Sequence, residues 1–131
     1  KRRMAEENEA RYGEELKRRY GAETMKKSND KWMSMTKEQY ERMQQLADEI
    51  LAGLEAAVRA GEDPAGEEGR RLAALHREWL CFTWPSYSAE AHRGLAEGYV
   101  QDERFRAYYD RQVDGCAAFL RDAVRSWLEQ V

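Results

Sequence analysis

The sequence predicts an all-α fold in which five or more helices of unequal length cross in a globin-like arrangement. Apolar residues recur at steps of three and four along most of the chain, as on the buried face of a helix. No stretch alternates apolar and polar side chains in the manner of a half-buried strand. Glycine and proline breaks fall at irregular intervals, which disfavours a bundle of four equal antiparallel helices.

The composition indicates a single polar domain. The chain has 131 residues, of which 42% are apolar and 36% are charged, and its net charge is -3. No apolar run approaches the length of a membrane span, and the charge gives no basic surface for nucleic acid. Cys81 and Cys116 are too few for a disulfide framework, so we expect a cytoplasmic protein. Because the chain begins at Lys1 and not at a methionine, we expect an excised fragment.

Residues 1–20 are almost wholly charged and predict a polar helix that precedes the domain at 21–131. Its main apolar residues are Met4, Tyr12 and Leu16, whose spacings of eight and four place them on one helical face. So polar a helix has little apolar surface of its own to bury. We therefore expect a linker helix, one half of a coiled coil, or a segment that is unstructured in isolation.

The first long helix has clear boundary signals. Thr36 and Gln39 have the spacing of a capping box, which predicts a helix start. Apolar residues then keep the helical rhythm as far as Val58. Gly61 and Pro64 predict the end of this helix, because glycine caps a C-terminus and proline cannot continue it.

Four further helices are expected after this one. The pattern over 72–80 breaks before Pro85, which disfavours helical geometry in the residue that precedes it. Ser88 and Asp102 are candidate N-caps of two shorter helices. Asp114-Gly115 predicts the turn and cap of a final helix, which keeps its rhythm to the end of the chain.

The sequence contains no recognisable catalytic or metal-binding motif. GxSxG, P-loop, GxGxxG and HExxH patterns are absent, and the cysteine and histidine spacings do not suit zinc. We therefore expect no enzyme, no metal and no cofactor. His76 lies on an apolar helix face and raises haem formally, but the surrounding aromatics would crowd a macrocycle. Cys116 is expected in the core, and Cys81 in the core or in a pocket wall.

Aromatic side chains cluster around two helix breaks, at Pro85 and Asp102. Eight of the fourteen aromatic residues fall within 79–109. Tyrosine and tryptophan combine an apolar face with a polar tip, which suits a cleft for a large, mostly apolar ligand. All five methionines and Trp32 fall within the first 43 residues, and methionine adapts to varied surfaces. We therefore expect an N-terminal flap that closes over an aromatic cleft.

Two ordered motifs resemble the TipAS family of antibiotic-recognition domains. The first is H-x-x-W at 76–79, and the second is H-x-x-L-A-E-x-Y-V-x-D-E-R-F at 92–105. The resemblance extends over about residues 20–129. Further matching residues lie on either side of the motifs: Trp32, Thr36-Lys37-Glu38, Gly115, Phe119 and Asp122-Ala123.

The resemblance implies a globin-like helical fold without haem that binds thiopeptides or other large antibiotic-like ligands. Such domains usually form the C-terminal half of MerR-like transcriptional activators, after a DNA-binding winged helix-turn-helix and a long dimerising helix. It implies that 1–20 is a remnant of that helix, that DNA is bound only through a missing N-terminal domain, and that the full-length protein is a homodimer. It implies no membrane partner. The alternative is a standalone drug-sequestering protein without a transcriptional role.

The residues and the resemblance together give nine candidate ligand-binding residues. They are His76, Trp79, Phe82, Trp84, Tyr87, His92 and Tyr99 in the cleft, with Trp32 and Tyr40 from the N-terminal side.

Two further expectations concern residues near the cleft. Thiopeptide-binding members carry a cysteine in the segment that matches 87–94, and this sequence has none there. We therefore expect reversible binding by apolar burial and stacking. Asp102 is expected to cap a helix, Arg104 to pair with a carboxylate, and Phe105 to be buried.

Overall fold

A computed structural model of the chain describes residues 21–130, and every regular element in this range is a helix. The six helices are α1 (Ala22–Met33), α2 (Lys37–Arg59), α3 (Glu67–Leu80), α4 (Ala89–Gln101), α5 (Glu103–Tyr109) and α6 (Cys116–Gln130). The all-α prediction is therefore confirmed over this range. The predicted linker or dimerisation helix at 1–20 lies outside the described residues.

Local capping signals set the start of α2. The Thr36 hydroxyl accepts from the backbone N–H of Gln39 at 3.1 Å, and the Gln39 side chain accepts from the Thr36 N–H at 2.9 Å. This is the predicted capping box. At the other end, Gly61 has a φ of +69°, a conformation that glycine adopts without strain. The boundaries predicted for this helix are confirmed.

The two shorter helices also begin at their predicted caps. The Ser88 hydroxyl accepts from the Ala91 N–H at 3.2 Å at the start of α4. The Asp102 carboxylate accepts from the Arg104 N–H at 2.9 Å at the start of α5. Both caps satisfy backbone donors that have no partner inside their helix.

The cap of α6 differs from the prediction. Gly115 precedes the helix with a φ of +99°, which fits the predicted turn. However, the carboxylate that accepts from the first turn belongs to Asp110, which lies 2.8 Å from the Ala117 N–H. Asp114 is not the side-chain cap, because the turn after α5 brings Asp110 back beside the start of α6.

The core lies where α6 packs across α3 and α4, with α2 against α3 and α6. Each large side chain buried there stabilises the fold by about 2 kcal/mol. The largest apolar ones with almost no exposure are Leu46, Leu54, Leu72, Leu120, Val124 and Cys116. The core position predicted for Cys116 is therefore confirmed, whereas Cys81 is only half-buried. Within residues 21–130, no helix combines the length and apolar character that crossing a membrane requires.

A second apolar group, here called the N-terminal cluster, joins α1 to the rest of the domain. Its buried members are Trp32, Met35 and Met43, with Tyr40, Trp79 and Phe82 packed against them. The ammonium group of Lys31 also donates to the carbonyl oxygens of Cys81 at 2.6 Å and Trp84 at 2.9 Å. Cys81 is the C-cap of α3, where the helix dipole favours a cation, and Trp84 lies in the turn that follows. Helix α1 is thus attached through one apolar cluster and one charged cap.

Candidate functional site

A cleft of about 270 Å³ opens between α2, α3, α4 and α5. Its walls are mainly aromatic and aliphatic, with a few polar atoms among them, as in typical sites for small molecules. The lining residues are Ala47, Ile50, His76, Trp79, Tyr99, Arg104, Phe105, Tyr108 and Tyr109.

One wall of the cleft consists of four aromatic rings in contact. The Tyr99 ring centroid lies 5.2 Å from that of Phe105 and 4.9 Å from that of Tyr109. Tyr108 contacts Tyr109 edge-to-face at 5.0 Å, and it is 43% exposed at the mouth of the cleft. Three of these rings come from the short helix α5. They share one wall because residues 105, 108 and 109 lie on one face of that helix. The wall therefore offers both buried and accessible ring surface to a ligand.

A chain of four hydrogen-bonded side chains leads from the cleft into the interior. The Tyr99 hydroxyl lies 3.1 Å from Nε2 of His76. Nδ1 of His76 lies 2.8 Å from Nε2 of His92, and Nδ1 of His92 lies 2.7 Å from the Tyr87 hydroxyl. Tyr99 also hydrogen-bonds Tyr109, the neighbouring lining residue. Every ring nitrogen of both histidines is therefore engaged.

Burial keeps both histidines neutral at physiological pH. Desolvation lowers the pKa of His76 well below its usual value, and the neighbouring His92 lowers it further. Desolvation also lowers the pKa of His92 to about 4, with a smaller effect from the positive charge of Arg77. Burial raises the pKa of Tyr109 well above its usual value. The histidine and tyrosine groups of the cleft wall are therefore neutral donors and acceptors at pH 7.

Arginine side chains flank the mouth of the cleft. Arg104 forms a two-pronged ion pair with Asp102, at 3.0 Å and 2.6 Å. This hydrogen bonding lowers the pKa of the Asp102 carboxyl. The guanidinium carbon of Arg111 lies 5.2 Å from the Tyr108 ring centroid. Two guanidinium groups therefore lie beside the aromatic wall formed by α5.

The structure brings together only some of the nine predicted binding residues. His76, Trp79 and Tyr99 line the cleft. Trp32, Tyr40 and Phe82 lie in the N-terminal cluster, which meets the cleft only through Trp79. Ligand binding by the residues of that cluster remains a prediction.

The remaining three predicted residues form a separate group, here called the Trp84 cluster. Tyr87 stacks on Trp84 at 6.1 Å, and His92 contacts both rings edge-to-face. Trp127 of α6 contacts His92 from the other side at 6.3 Å. The Trp84 cluster meets the cleft-lining His76 through the hydrogen bond and the ring stacking between the two histidines. Its direct contact with a ligand is likewise a prediction.

Sequence reasoning overlooked the contribution of α5. Arg104 pairs with a carboxylate as predicted, but it also lines the cleft. Phe105 is partly buried against the core, as predicted in part, and the rest of its ring lines the cleft. The side chain turns toward the cleft because it shares a helix face with Tyr108 and Tyr109. The spacing of residues 105, 108 and 109 predicts that they share a helix face, whereas nothing in the sequence distinguishes Ala47 and Ile50 as cleft residues.

Metal ligation finds no support in the described part of the chain. Nowhere in residues 21–130 do three histidine, cysteine, aspartate or glutamate side chains converge as a metal site requires. The ring nitrogens of His76 and His92 are occupied by hydrogen bonds within the protein. The cleft can bury apolar surface and exchange a small number of neutral hydrogen bonds, with the ion-paired guanidinium of Arg104 as its charged lining group.

The described residues form an all-helical domain with an open cleft that is lined mainly by aromatic side chains. The family model of the TipAS antibiotic-recognition domain matches residues 12–127. The chain therefore belongs to the TipAS antibiotic-recognition domain family. This confirms the resemblance carried by the two sequence motifs.

Similar proteins agree with this assignment. The chain is 40% identical over 82 residues to the HTH-type transcriptional activator TipA of Streptomyces coelicolor, and equally to that of Streptomyces lividans. The aligned part is 62% of this chain and 32% of each relative. Over 77 residues it is 32% identical to the HTH-type transcriptional activator mta of Bacillus subtilis, covering 59% of this chain and 29% of mta. The chain thus spans about a third of the length of these relatives.

A solved structure has the same arrangement of helices. It is that of Streptomyces lividans TipAS in complex with nosiheptide, from a thiopeptide antibiotic multidrug resistance system. The TM-score is 0.77 at 33% identity, over 93% of this chain and 86% of that one. The globin-like arrangement predicted from the irregular helix lengths is consistent with this likeness.

Proposed function

We propose that this chain is the ligand-sensing domain of a MerR-family transcriptional regulator and binds a large, mostly apolar antibiotic-like ligand in its aromatic cleft. The observation that carries the proposal is the cleft itself, with Trp79, Phe105 and Tyr108 as accessible apolar surface. Ring contacts of this kind contribute about 0.5–1.5 kcal/mol each beyond the area that they bury. The neutral hydroxyls of Tyr99 and Tyr109 would orient the ligand. Thiopeptides are the first class to test, because the related TipAS structure holds nosiheptide.

Binding is proposed to be reversible and not covalent. A thiolate is the nucleophilic form of cysteine, and it requires exposure and a low pKa. Cys116 has no exposed surface, and desolvation raises its pKa to about 11. Cys81 is half-buried and does not line the cleft. Apolar burial and stacking are therefore the proposed source of affinity.

The regulatory role is proposed from the relatives, which are transcriptional activators. In this proposal the regulator is a cytoplasmic homodimer, and DNA is bound only through a separate N-terminal domain. In the same proposal, residues 1–35 form a flap that becomes ordered over the ligand and passes this change to the DNA-binding domain. Such a population shift requires the ligand to bind the ordered state more tightly than the open one. Equal hydrogen-exchange protection of residues 1–35 with and without ligand would contradict the flap.

A standalone drug-sequestering protein would use the same cleft. The encoded sequence upstream of Lys1 separates the two functions, since a winged helix-turn-helix there supports the regulator. Recovery of the bound antibiotic unchanged, measured by mass spectrometry, is expected of both binding functions. A converted product would establish an enzyme instead.

The cleft is tested with nosiheptide and two matched variants. We expect nosiheptide to raise the melting temperature of the wild-type protein, because it binds the folded state. Tyr108→Ala removes a partly exposed ring from the cleft wall, whereas Phe82→Ala removes a half-buried ring from the N-terminal cluster. Weaker binding in Tyr108→Ala alone supports the cleft. Loss in Phe82→Ala alone would place the ligand on the other side of Trp79, and no shift in any form would contradict a thiopeptide sensor.

A further inference from the structure

The chain of hydrogen bonds behind the cleft has a restricted set of proton arrangements. A neutral imidazole donates from one nitrogen and accepts at the other. His76 and His92 are both neutral near pH 7, because burial lowers the pKa of each below 6.5. Each histidine must therefore accept from one neighbour and donate to the other. All three hydrogen bonds between Tyr87 and Tyr99 consequently run in the same direction.

The two directions differ in whether the hydrogen-bond chain presents a donor or an acceptor to the cleft. In the inward direction Tyr87 donates to His92, whose Nε2–H donates to Nδ1 of His76. The Nε2–H of His76 then donates to the Tyr99 oxygen, and the Tyr99 proton is directed to Tyr109 or to a ligand. In the outward direction Tyr99 donates to Nε2 of His76, and the Nδ1–H of His76 donates to Nε2 of His92. The Nδ1–H of His92 then donates to the Tyr87 oxygen, so the hydroxyl proton that is not used within these hydrogen bonds belongs to Tyr87. The inward direction makes the cleft wall a donor, and the outward direction makes it an acceptor.

Arg77 distinguishes the two directions electrostatically. Its guanidinium carbon lies 4.2 Å from the Tyr87 ring centroid, and its charge also acts on His92. A positive charge favours N–H and O–H dipoles that point away from it. Arg77 is itself exposed and Tyr87 is half-buried, so the charge biases the buried histidines from the solvent-facing end of the hydrogen-bond chain. In the inward direction the protons of Tyr87 and of both histidines point away from Arg77, toward the cleft.

We propose that Arg77 holds the Tyr87–His92–His76–Tyr99 chain in the inward direction, so that the cleft selects ligands carrying a hydrogen-bond acceptor. The ligand class is an aromatic body with a carbonyl oxygen or an azole nitrogen that reaches the Tyr99–Tyr109 pair. The ligand selection rests on the proposed function, since it requires a ligand in the cleft. The direction of the hydrogen bonds does not depend on that function. Arg77 and His92 are then specificity-determining residues that lie behind the cleft lining and act through His76 and Tyr99.

The direction is read from the histidine tautomers by ¹⁵N NMR at about pH 7.5, where both rings are neutral. In the wild-type protein we expect Nε2–H on both His76 and His92. Arg77→Gln should move both toward Nδ1–H, whereas Arg77→Lys should keep Nε2–H because the charge remains. Nδ1–H in the wild type, unlike tautomers on the two rings, or equal spectra for the two Arg77 variants would each overturn the proposal.

Two hydroxyl deletions give a matched control with opposite outcomes. Tyr99→Phe removes the acceptor for the Nε2–H of His76, so both rings should change to Nδ1–H. Tyr87→Phe leaves only an acceptor nitrogen of His92 without its partner, which is better tolerated than an unpaired N–H. Both rings should therefore keep Nε2–H. The wild-type spectrum decides the direction even where a variant fails to fold, and the same tautomers in both variants would contradict the proposal.

Selection is tested with three fused-ring probes of similar shape. Isoquinoline offers an acceptor, indole a donor, and naphthalene neither. We expect the wild type to prefer isoquinoline over indole by roughly tenfold, as one hydrogen bond allows, and this preference to shrink in Arg77→Gln. Equal binding of all three probes, with Nε2–H retained, would overturn the selection. If no probe shifts the NMR signals of Phe105 and Tyr108, the selection fails together with the proposed cleft, while the tautomers still decide the direction.

Discussion

Nδ1 of His76 and Nε2 of His92 lie 2.8 Å apart, and neither side chain has exposed surface. The contact joins α3 to α4 in the interior and aligns the Tyr99 hydroxyl with the cleft. Burial of a histidine is tolerated here because each ring is neutral and both of its nitrogens have a partner. A proton added to either ring would create a buried charge. If the proton were on a nitrogen of the 2.8 Å contact, two donors would also face each other. The pair therefore links the stability of the fold to pH.

We expect stability to decrease as the pH falls from about 6.5 toward about 4. Both histidines have folded-state pKa values below the unfolded value of about 6.5. The unfolded chain therefore binds more protons in this range, and unfolding becomes easier as the pH falls. For His92 alone, the change from 6.5 to about 4 corresponds to about 3 kcal/mol. Urea unfolding at a series of pH values measures this effect.

The chain has only these two histidines, so the slope above about pH 5 has a defined source. His92→Gln provides the control, because glutamine keeps a polar side chain that does not titrate. This variant is less stable at pH 7 but should show a shallower pH dependence. A wild-type stability that is flat between about pH 7 and 5 would contradict the neutral buried pair.

Two glycines should respond to alanine in opposite directions. A Cβ on Gly69, in α3, would lie 1.7 Å from the backbone oxygen of Pro64. Gly69→Ala should therefore lower the free energy of unfolding by more than about 2 kcal/mol. A Cβ on Gly94, in α4, would meet nothing within 4 Å. Gly94→Ala should raise stability by about 0.5–1 kcal/mol, because alanine has the higher helix propensity.

Chemical unfolding of both glycine variants measures this difference. Gly94→Ala serves as the control, since it makes the same chemical change inside another helix. Destabilisation of similar size in both variants would indicate that helix propensity or the unfolded state dominates, and would refute the close approach at Gly69.

The helices could be predicted from the sequence where their signals are local. The capping box of Thr36 and Gln39 spans one helical turn, so the start of α2 could be recognised without tertiary information. The cap of α6 comes from Asp110, seven residues before its partner Ala117. Its role depends on the path of the intervening turn, and sequence spacing favoured Asp114 instead.

The cleft was harder to predict because helical periodicity identifies a buried face but not what that face meets. Residues 76 and 79 share a face of α3 and both reach the cleft. Trp84 and Tyr87 follow the end of that helix and pack on His92, which contacts Trp127 of α6. The aromatic residues around Pro85 therefore belong to different groups: Trp79 lines the cleft, Phe82 lies in the N-terminal cluster, and Trp84 and Tyr87 form the Trp84 cluster. Only the packing of α5 against α4 shows which aromatic rings complete the cleft.

Glu55 is expected to destabilise the fold. Its side chain is 9% exposed, and its Oε2 atom is a buried oxygen without a hydrogen-bond partner among the described residues. An unsatisfied buried polar atom costs about 1–3 kcal/mol. Glu55→Met should therefore raise the free energy of unfolding by about 1 kcal/mol or more, as measured in urea.

The control for Glu55 lies on the same helix. Glu41 is exposed and 4.0 Å from Lys37, so Glu41→Met should change stability by less than about 0.5 kcal/mol. A loss of stability in Glu55→Met would mean that the carboxylate has a stabilising role in the fold.

Trp79 is expected to matter more for ligand binding than for folding. It is half-buried, lines the cleft and stacks on His76 at 5.7 Å. Trp79→Ala should weaken nosiheptide binding by roughly a hundredfold, as loss of a central aromatic contact does. Calorimetry gives the affinity and urea unfolding gives the stability of the same sample.

The matched control for Trp79 is Leu72, which is fully buried on the same helix and does not line the cleft. Leu72→Ala should cost about 2–5 kcal/mol of stability while the folded fraction keeps its affinity. If Trp79→Ala loses as much folding free energy as binding free energy, Trp79 belongs to the core alone.

Lys31 should control how firmly α1 is attached to the domain. Its ammonium group donates to the carbonyl oxygens of Cys81 and Trp84 across about fifty residues of sequence. Lys31→Met keeps much of the apolar stem but removes both charged hydrogen bonds, which contribute about 1–3 kcal/mol in such settings. Opening of α1 should then become at least roughly tenfold more frequent. Hydrogen exchange of the Ala22–Met33 amides in the full chain measures this opening.

A change confined to α1 distinguishes local opening from general destabilisation. Exchange in α6 should remain unchanged in Lys31→Met, because that helix does not contact Lys31. Lys27→Met is the control on the same helix, since Lys27 forms an exposed pair with Glu23, and it should leave exchange of α1 nearly unaltered. Equal exchange in both lysine variants would show that the N-terminal cluster alone holds α1. In the expected case, the carbonyls of Cys81 and Trp84 hold α1 beside Trp79 through Lys31, so a ligand that moves Trp79 acts on the same attachment.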